Sequence, residues 1–301
     1  MIKYMRKFAL TLLGLLCTVL GRAQSKASAM AFDSNGEFRI VLLTDFSLAS
    51  STTGTEQKKF ILSMVDIEHP QCVVMEGMEG SDNSLSAELR KKGIATFSLS
   101  KSNGRDEVVP ILSSDRSSVV QLLYFFDSYA SVRNGAKPRC GGFSFDQISW
   151  YRQQSLKYAK ANGDVPLPAI AFMCQPLPEY CEASREYSYS KSIKKGVWCR
   201  LGRKGSAVTC AAENSGMFTS MLECGDVRGV FCGTDVDNDF ALVWKNIMLA
   251  YGRCSSVGRQ NCGVRVIVLK ERSNEFDTYL RNATSETSDL CTYPNSFPIL
   301  K

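Results

Sequence analysis

The sequence predicts an α/β protein in which two mixed β-sheets lie against each other, each carrying helices on its outer side. Three observations predict it. Short apolar runs alternate with helix-period stripes from Glu37 to Leu99, a β-α-β-α-β order that implies parallel strands with right-handed crossovers. The middle of the chain repeats that alternation around longer and more apolar runs. From Phe240 onward the pattern changes to antiparallel hairpins.

Taken in order, "EFRIVLLTDF" reads as a buried strand, because its apolar residues run almost unbroken up to Thr44-Asp45. "EQKKFILSMVDIEH" places Phe60, Ile61, Met64, Val65 and Ile67 on a helical stripe that stops before Pro70. "QCVVME" is the next strand, "SLSAELRKKG" a helix closed by Gly93, and "IATFSL" a third strand. "SVVQLLYFFDSYA" and "PAIAFMCQ" are further buried strands. Between them "SFDQISWYRQQSLKYAKANG" is a helix with Ser144 as N-cap, Asp146 in its first turn and Gly163 at its end. "NSGMFTSMLECGDVRGVFCG" is a helix from Gly216 to Cys224 that feeds a strand past Gly225. "FALVWKNIMLAYG" and "GVRVIVLKERSNEFDTYLR" read as hairpins turning at Lys245-Asn246 and Ser273-Asn274.

Residues 1–23 read as an export signal. Lys3, Arg6 and Lys7 precede an apolar run from Phe8 to Leu20, and Gly21 and Ala23 stand at the positions a signal peptidase reads. The run is short for a membrane span. A periplasmic or secreted location is therefore expected, with one domain over 24–301. The segment holds four cations (Lys3, Arg6, Lys7, Arg22) and no acid. Of 36 basic residues in the chain, 32 remain against 30 acidic ones, a near-neutral balance. That argues against nucleic acid as a partner.

Twelve cysteines include Cys17 in the leader, so an odd number remains. Cys254 and Cys262 flank a short loop, as Cys199 and Cys210 do, and each couple is a candidate disulfide. Cys72, Cys224 and Cys232 sit in apolar runs and read as core residues. There is a single histidine, His69, at a helix end before Pro70. The helix dipole explains it there without any catalytic role.

The strings "FRIVLLTDFSL", "FDQISWYRQQS", "AFMCQPLPEY", "NSGMFTSMLECGDVRGVFCGTDVDNDF" and "LAYGR" occur in one order. In that order they resemble bacterial secreted calcineurin-like metallophosphoesterases of the purple-acid-phosphatase-like kind. The resemblance runs from about Gly36 to Tyr293. It implies a four-layer αββα sandwich and an active site in which two metal ions polarise a phosphoester and generate hydroxide. Five motifs supply the metal ligands in that family.

Here those motifs are eroded. The first, D-x-H, is Asp45-Phe46-Ser47, so the aspartate is kept and the histidine is Ser47. Met78 stands for the bridging aspartate, Leu99 and Ser100 for the asparagine and histidine of the third motif, and Cys174 for the next histidine. The final G-H-x-H is Gly233-Thr234-Asp235-Val236, with both histidines lost to Thr234 and Val236. Asp45 is the one family ligand retained, and no catalytic residue and no cofactor are expected.

A rebuilt site would draw on Asp45, Glu76, Glu79, Asp235, Asp237 and Asp239, with Cys174 as a possible thiolate. Carboxylates alone can hold a hard divalent cation, and an active hydrolase with a rearranged metal site is the alternative that follows. The bland reading of "DVDND" is a solvated acidic turn. Separately, residues 191–205 carry Lys191, Lys194, Lys195, Arg200, Arg203 and Lys204 and no acid. As a basic loop, that stretch suits an anionic small molecule or a protein partner, with Lys194, Lys195, Arg200 and Arg203 as contacts. Its bland reading is an ordinary solvated loop.

Overall fold

The computed structural model describes residues 30–48, 52–76, 83–99, 106–128, 142–190, 197–211 and 213–297. The leader, Met78, Glu79, Ser100, Lys194 and Lys195 lie outside them, and of Arg200 only the backbone is described. Two mixed sheets form. The six-stranded one has the order β13 (Thr287–Tyr293), β12 (Phe276–Asn282), β11 (Gly263–Lys270), β1 (Glu37–Thr44), β2 (Cys72–Glu76), β3 (Ala95–Leu99). The seven-stranded one runs β4 (Glu107–Leu112), β5 (Val119–Phe126), β6 (Ala169–Met173), β8 (Val227–Cys232), β10 (Ile247–Tyr251), β9 (Ala241–Trp244), β7 (Val197–Leu201).

Within each sheet the crossover strands are parallel, β1–β2–β3 and β5–β6–β8–β10, while the hairpin strands are antiparallel. All parallel strands of one sheet therefore end on one edge. The β9–β10 turn uses Lys245 and Asn246, both at positive φ (46° and 65°), as a two-residue hairpin with right-handed strand twist requires.

Three apolar layers separate four structural ones. Phe38, Ile40, Leu42, Val74, Phe125, Phe172, Phe231, Met248, Ile267 and Phe276 pack between the sheets. Val41, Leu43, Val73, Met75, Val264 and Val266 face the other way, against α1 (Thr52–Glu68) and α2 (Asn83–Lys91). The alternate residues of the larger sheet, among them Tyr124, Phe126, Ala171 and Leu249, pack beneath the remaining helices. These are α3 (Phe145–Ala161), α4 (Pro178–Ser190) and α5 (Met217–Cys224). The strands are buried on both faces, which is why they read as unbroken apolar runs.

Local chemistry fixes the helix ends. Ser144 caps α3 through a full capping box with Gln147, and Asn162 is its C-cap, followed by Gly163 at φ 71°. Gly225, at φ 68°, ends α5. In α1, Gln57, Ile61, Met64, Val65 and Glu68 are buried at helical spacing. Gln57 ties the helix to the loop after Cys254, donating to Ser255 O at 2.6 Å and accepting from Val257 N at 2.8 Å.

Elements outside the expected set also form. Besides β4, the stretch from Pro178 to Ser190 is the helix α4. Among its described side chains Glu179, Tyr180, Ala183 and Ser184 are buried, a stripe too short to declare itself. The basic stretch 191–205 is not all loop. Val197–Leu201 is β7, paired antiparallel with β9, so Arg200 sits in a strand.

A cation lies between the sheets. Arg265 of β11 is 1% exposed. Its guanidinium donates to Tyr251 O, to Asp239 O at 2.7 Å and to Thr278 Oγ1 at 3.1 Å. It bolts the six-stranded sheet to the end of β10 and to the turn before β9.

Candidate functional site

The parallel registers align two rows of strand ends. Thr44, Glu76 and Leu99 are in register across β1–β2–β3, and Met173, Cys232 and Tyr251 across β6–β8–β10. Catalytic groups on such sheets sit just past these ends. The two rows touch. Thr44 Oγ1 donates to Arg253 O at 2.8 Å, Thr44 bridges to Cys254, and Gly252 N donates to Cys232 O at 2.6 Å.

The junction is tightly packed. A Cβ on Gly233 or on Gly252 would run into the Thr44 side chain, and on Gly233 it would also lie 2.8 Å from Glu76 Oε2. Glycine is needed at both positions because the two sheets approach to backbone distance there.

Asp45 follows β1 at a positive φ of 51°, its N–H donating to Glu76 O at 3.2 Å. Phe46 turns into the core and Ser47 is exposed. At the end of β3, Leu99 is buried, and its carbonyl accepts from the Cys174 thiol at 3.0 Å. Cys174 thus makes a structural contact. Thr234 keeps a buried Oγ1 with no hydrogen-bond partner among the described residues, and Val236 O accepts from Asn261 Nδ2 at 2.6 Å.

The acidic turn is not simply solvated. Asp235 Oδ2 accepts from Tyr251 Oη at 2.7 Å and from Asn238 Nδ2 at 3.2 Å. Asp239 is buried; it accepts from Arg203 N at 2.6 Å and pairs with Arg253 Nη1 at 3.2 Å. Asp237 alone of the three is exposed. Arg203 therefore meets the turn through its backbone.

Beneath this junction lies Glu76. It is fully buried, and neither carboxylate oxygen has a hydrogen-bond partner among the described residues. Burial, and secondarily the Asp45 carboxylate, push its carboxyl well above the ordinary range. In the same pocket, burial followed by the Glu76 carboxylate raises the Cys232 thiol. A neutral acid and a neutral thiol occupy the place beneath the strand ends.

These donors do not fit a pair of divalent ions. Such a pair needs a bridging anion and several converging ligands. Asp235 and Asp239 are committed to Tyr251, Asn238, Arg203 and Arg253, Cys174 gives its proton to Leu99, and Glu76 favours its neutral form. Among the described residues no group of three or more His, Cys, Asp or Glu comes together in a cation cage.

The tyrosines that organise the site escaped the sequence. Tyr180 Oη donates to Val230 O at 2.7 Å, clamping α4 to β8, and Tyr251 holds Asp235. Their only signal was their place inside the strings "PLPEY" and "LAYGR".

No family model matches the chain. A segment of 141 residues, 43% of the chain, is 32% identical to a protein of Arabidopsis thaliana named "Probable inactive purple acid phosphatase 29". A 136-residue segment is 29% identical to "Probable inactive purple acid phosphatase 28" of the same plant, and 121 residues are 27% identical to "Probable inactive purple acid phosphatase 14". The matches cover 32%, 31% and 27% of those relatives, so the chain spans about a third of their length or less. The chain is a distant homologue of purple-acid-phosphatase-like metallophosphoesterases, and its two-sheet architecture agrees with that fold.

Proposed function

We propose that this protein is an exported pseudo-phosphatase: a metallophosphoesterase-like scaffold that binds rather than hydrolyses. The observation that carries the reading is the state of the strand ends. Cys174, Asp235 and Asp239 are bonded to their own fold, and a carboxyl favouring its neutral form sits where charge would have to be held. Relatives whose names call them inactive phosphatases support it. Replacing a ligand cluster with packed, mutually bonded groups need not weaken a fold, because isolated buried charges are costly to keep.

The outward role we assign is recognition of an anionic small molecule or protein through the cation-rich stretch 191–205, which holds six cations and no acid. Arginine and lysine there suit phosphate or carboxylate groups. No nucleic acid is implied by the charge balance. Among the described residues no helix is long and apolar enough to cross a membrane.

Hydrolysis is the direct test. The purified chain, given a panel of phosphomonoesters and diesters with manganese, iron, zinc, magnesium or calcium, is expected to show no turnover above buffer. Metal-dependent turnover that disappears in Asp45→Asn would overturn the reading, because it would place a working site on the one retained ligand.

A further inference from the structure

Cys199 and Cys210 flank a short loop as a candidate pair, but the Cys199 side chain lies outside the described residues, and Cys210 has another cysteine beside it. The sulfur beside it is that of Cys181, in the first turns of α4, which helps to raise the Cys210 thiol. Two further observations put the segments side by side. Asn214 Nδ2 donates to Glu179 Oε1 at 2.7 Å, and Pro178 and Ala211 line one small cleft. Both cysteines are half-buried free thiols, open enough for a small reagent to reach.

We propose that Cys181 and Cys210 form a redox-active pair that closes to a disulfide by exchange with a low-molecular-weight disulfide. The other candidates are worse placed. Cys254 points its sulfur at Asp45 O, 3.8 Å away, and Cys254 and Cys262 are both free. Cys72 and Cys232 are fully buried.

The order of events follows from the surroundings. The Cys181 sulfur lies 3.8 Å from Arg185 Nη2. Burial, and then the Cys181 sulfur itself, push the Cys210 thiol up to about 11. Cys181, with the Arg185 guanidinium beside it, attacks first, forming a mixed disulfide and expelling one thiolate of the reagent. Cys210 then gives up its proton and attacks the Cys181 sulfur, expelling the second. Two protein thiols are oxidised to one disulfide, and one reagent disulfide is reduced to two thiols. The bond closes a covalent ring over residues 181–210, which contains the whole cation-rich stretch, and joins α4 to the segment leading into α5.

The test uses the full chain equilibrated in glutathione buffers from reducing to oxidising, then alkylated and digested without reductant. The expected result is a peptide linking Cys181 to Cys210, lost on reduction, with Cys72 and Cys232 unmodified. In Cys210→Ser, Cys181 should accumulate the glutathione mixed disulfide that the wild type resolves. The proposal is overturned if the wild type keeps both thiols alkylatable in oxidised glutathione. It is equally overturned if Cys210 is found joined to Cys199 or to any other cysteine. The peptide map of the wild type decides the matter even where the variant folds poorly.

Discussion

Arg265→Leu is expected to destabilise the fold by about 2–4 kcal/mol, the cost of leaving buried acceptors unpaired. The guanidinium is surrounded by Tyr251 O, Asp239 O and Thr278 Oγ1. Burial lowers its basicity, yet arginine remains charged, so the unmutated protein already carries a desolvation cost. Removing the charge relieves that cost and offsets part of the loss. A buried guanidinium is kept for its geometry, since one planar head reaches acceptors on both sheets. Arg265→Lys keeps the charge but loses the fork, and it should recover only a fraction of the stability. Denaturant titration of both variants checks this. Equal stability of wild type and Arg265→Leu would show that Arg265 does not hold the sheets together.

The second expectation concerns pH. Glu76→Gln should stabilise the protein at neutral pH and have little effect near pH 4. The sign follows from the raised carboxyl. Below the ordinary glutamate value of about 4.3, the folded and unfolded states both hold the proton and ionisation costs nothing. Above it the unfolded chain releases the proton while buried Glu76 keeps it. Stability then falls by about 1.4 kcal/mol per pH unit until the folded group ionises too. Glutamine is nearly the same shape and carries no charge at any pH, so it removes this slope. Thermal melts from pH 4 to 8 should show the two proteins together at the acid end and diverging as pH rises. Parallel curves would mean that Glu76 is ionised and paired in the folded state.

Much of the architecture was legible because both sheets are buried on both faces. "EFRIVLLTDF", "QCVVME" and "PAIAFMCQ" announce β1, β2 and β6 as apolar runs, and Ser144 with Gln147 marks the start of α3. Helix α4 was hidden because, among its described side chains, Tyr180 and Ala183 are the fully buried apolar ones, too few to set a period. Strand β7 was hidden because Val197, Trp198 and Leu201 are interspersed with and flanked by cations that made the stretch read as loop. At the site, the departures expected at Ser47, Cys174, Thr234 and Val236 rest on the resemblance to the family motifs. What is bonded there could not be read from the sequence, because it depends on partners far along the chain: Leu99 for Cys174, Asn261 for Val236, Tyr251 for Asp235. Glu76 had one sequence signal that was underweighted. It is the only carboxylic acid in "CVVME", a strand buried at every position.

Metal stoichiometry tests the central claim most directly. The purified chain is incubated with manganese, iron, zinc and calcium in turn, freed of excess, and its bound metal measured. The account predicts a ratio near zero for each ion, since Asp235, Asp239 and Cys174 are bonded within the fold and the Glu76 carboxyl favours its neutral form. Close to two equivalents of a transition metal, retained through gel filtration and lost in Asp45→Asn, would contradict it.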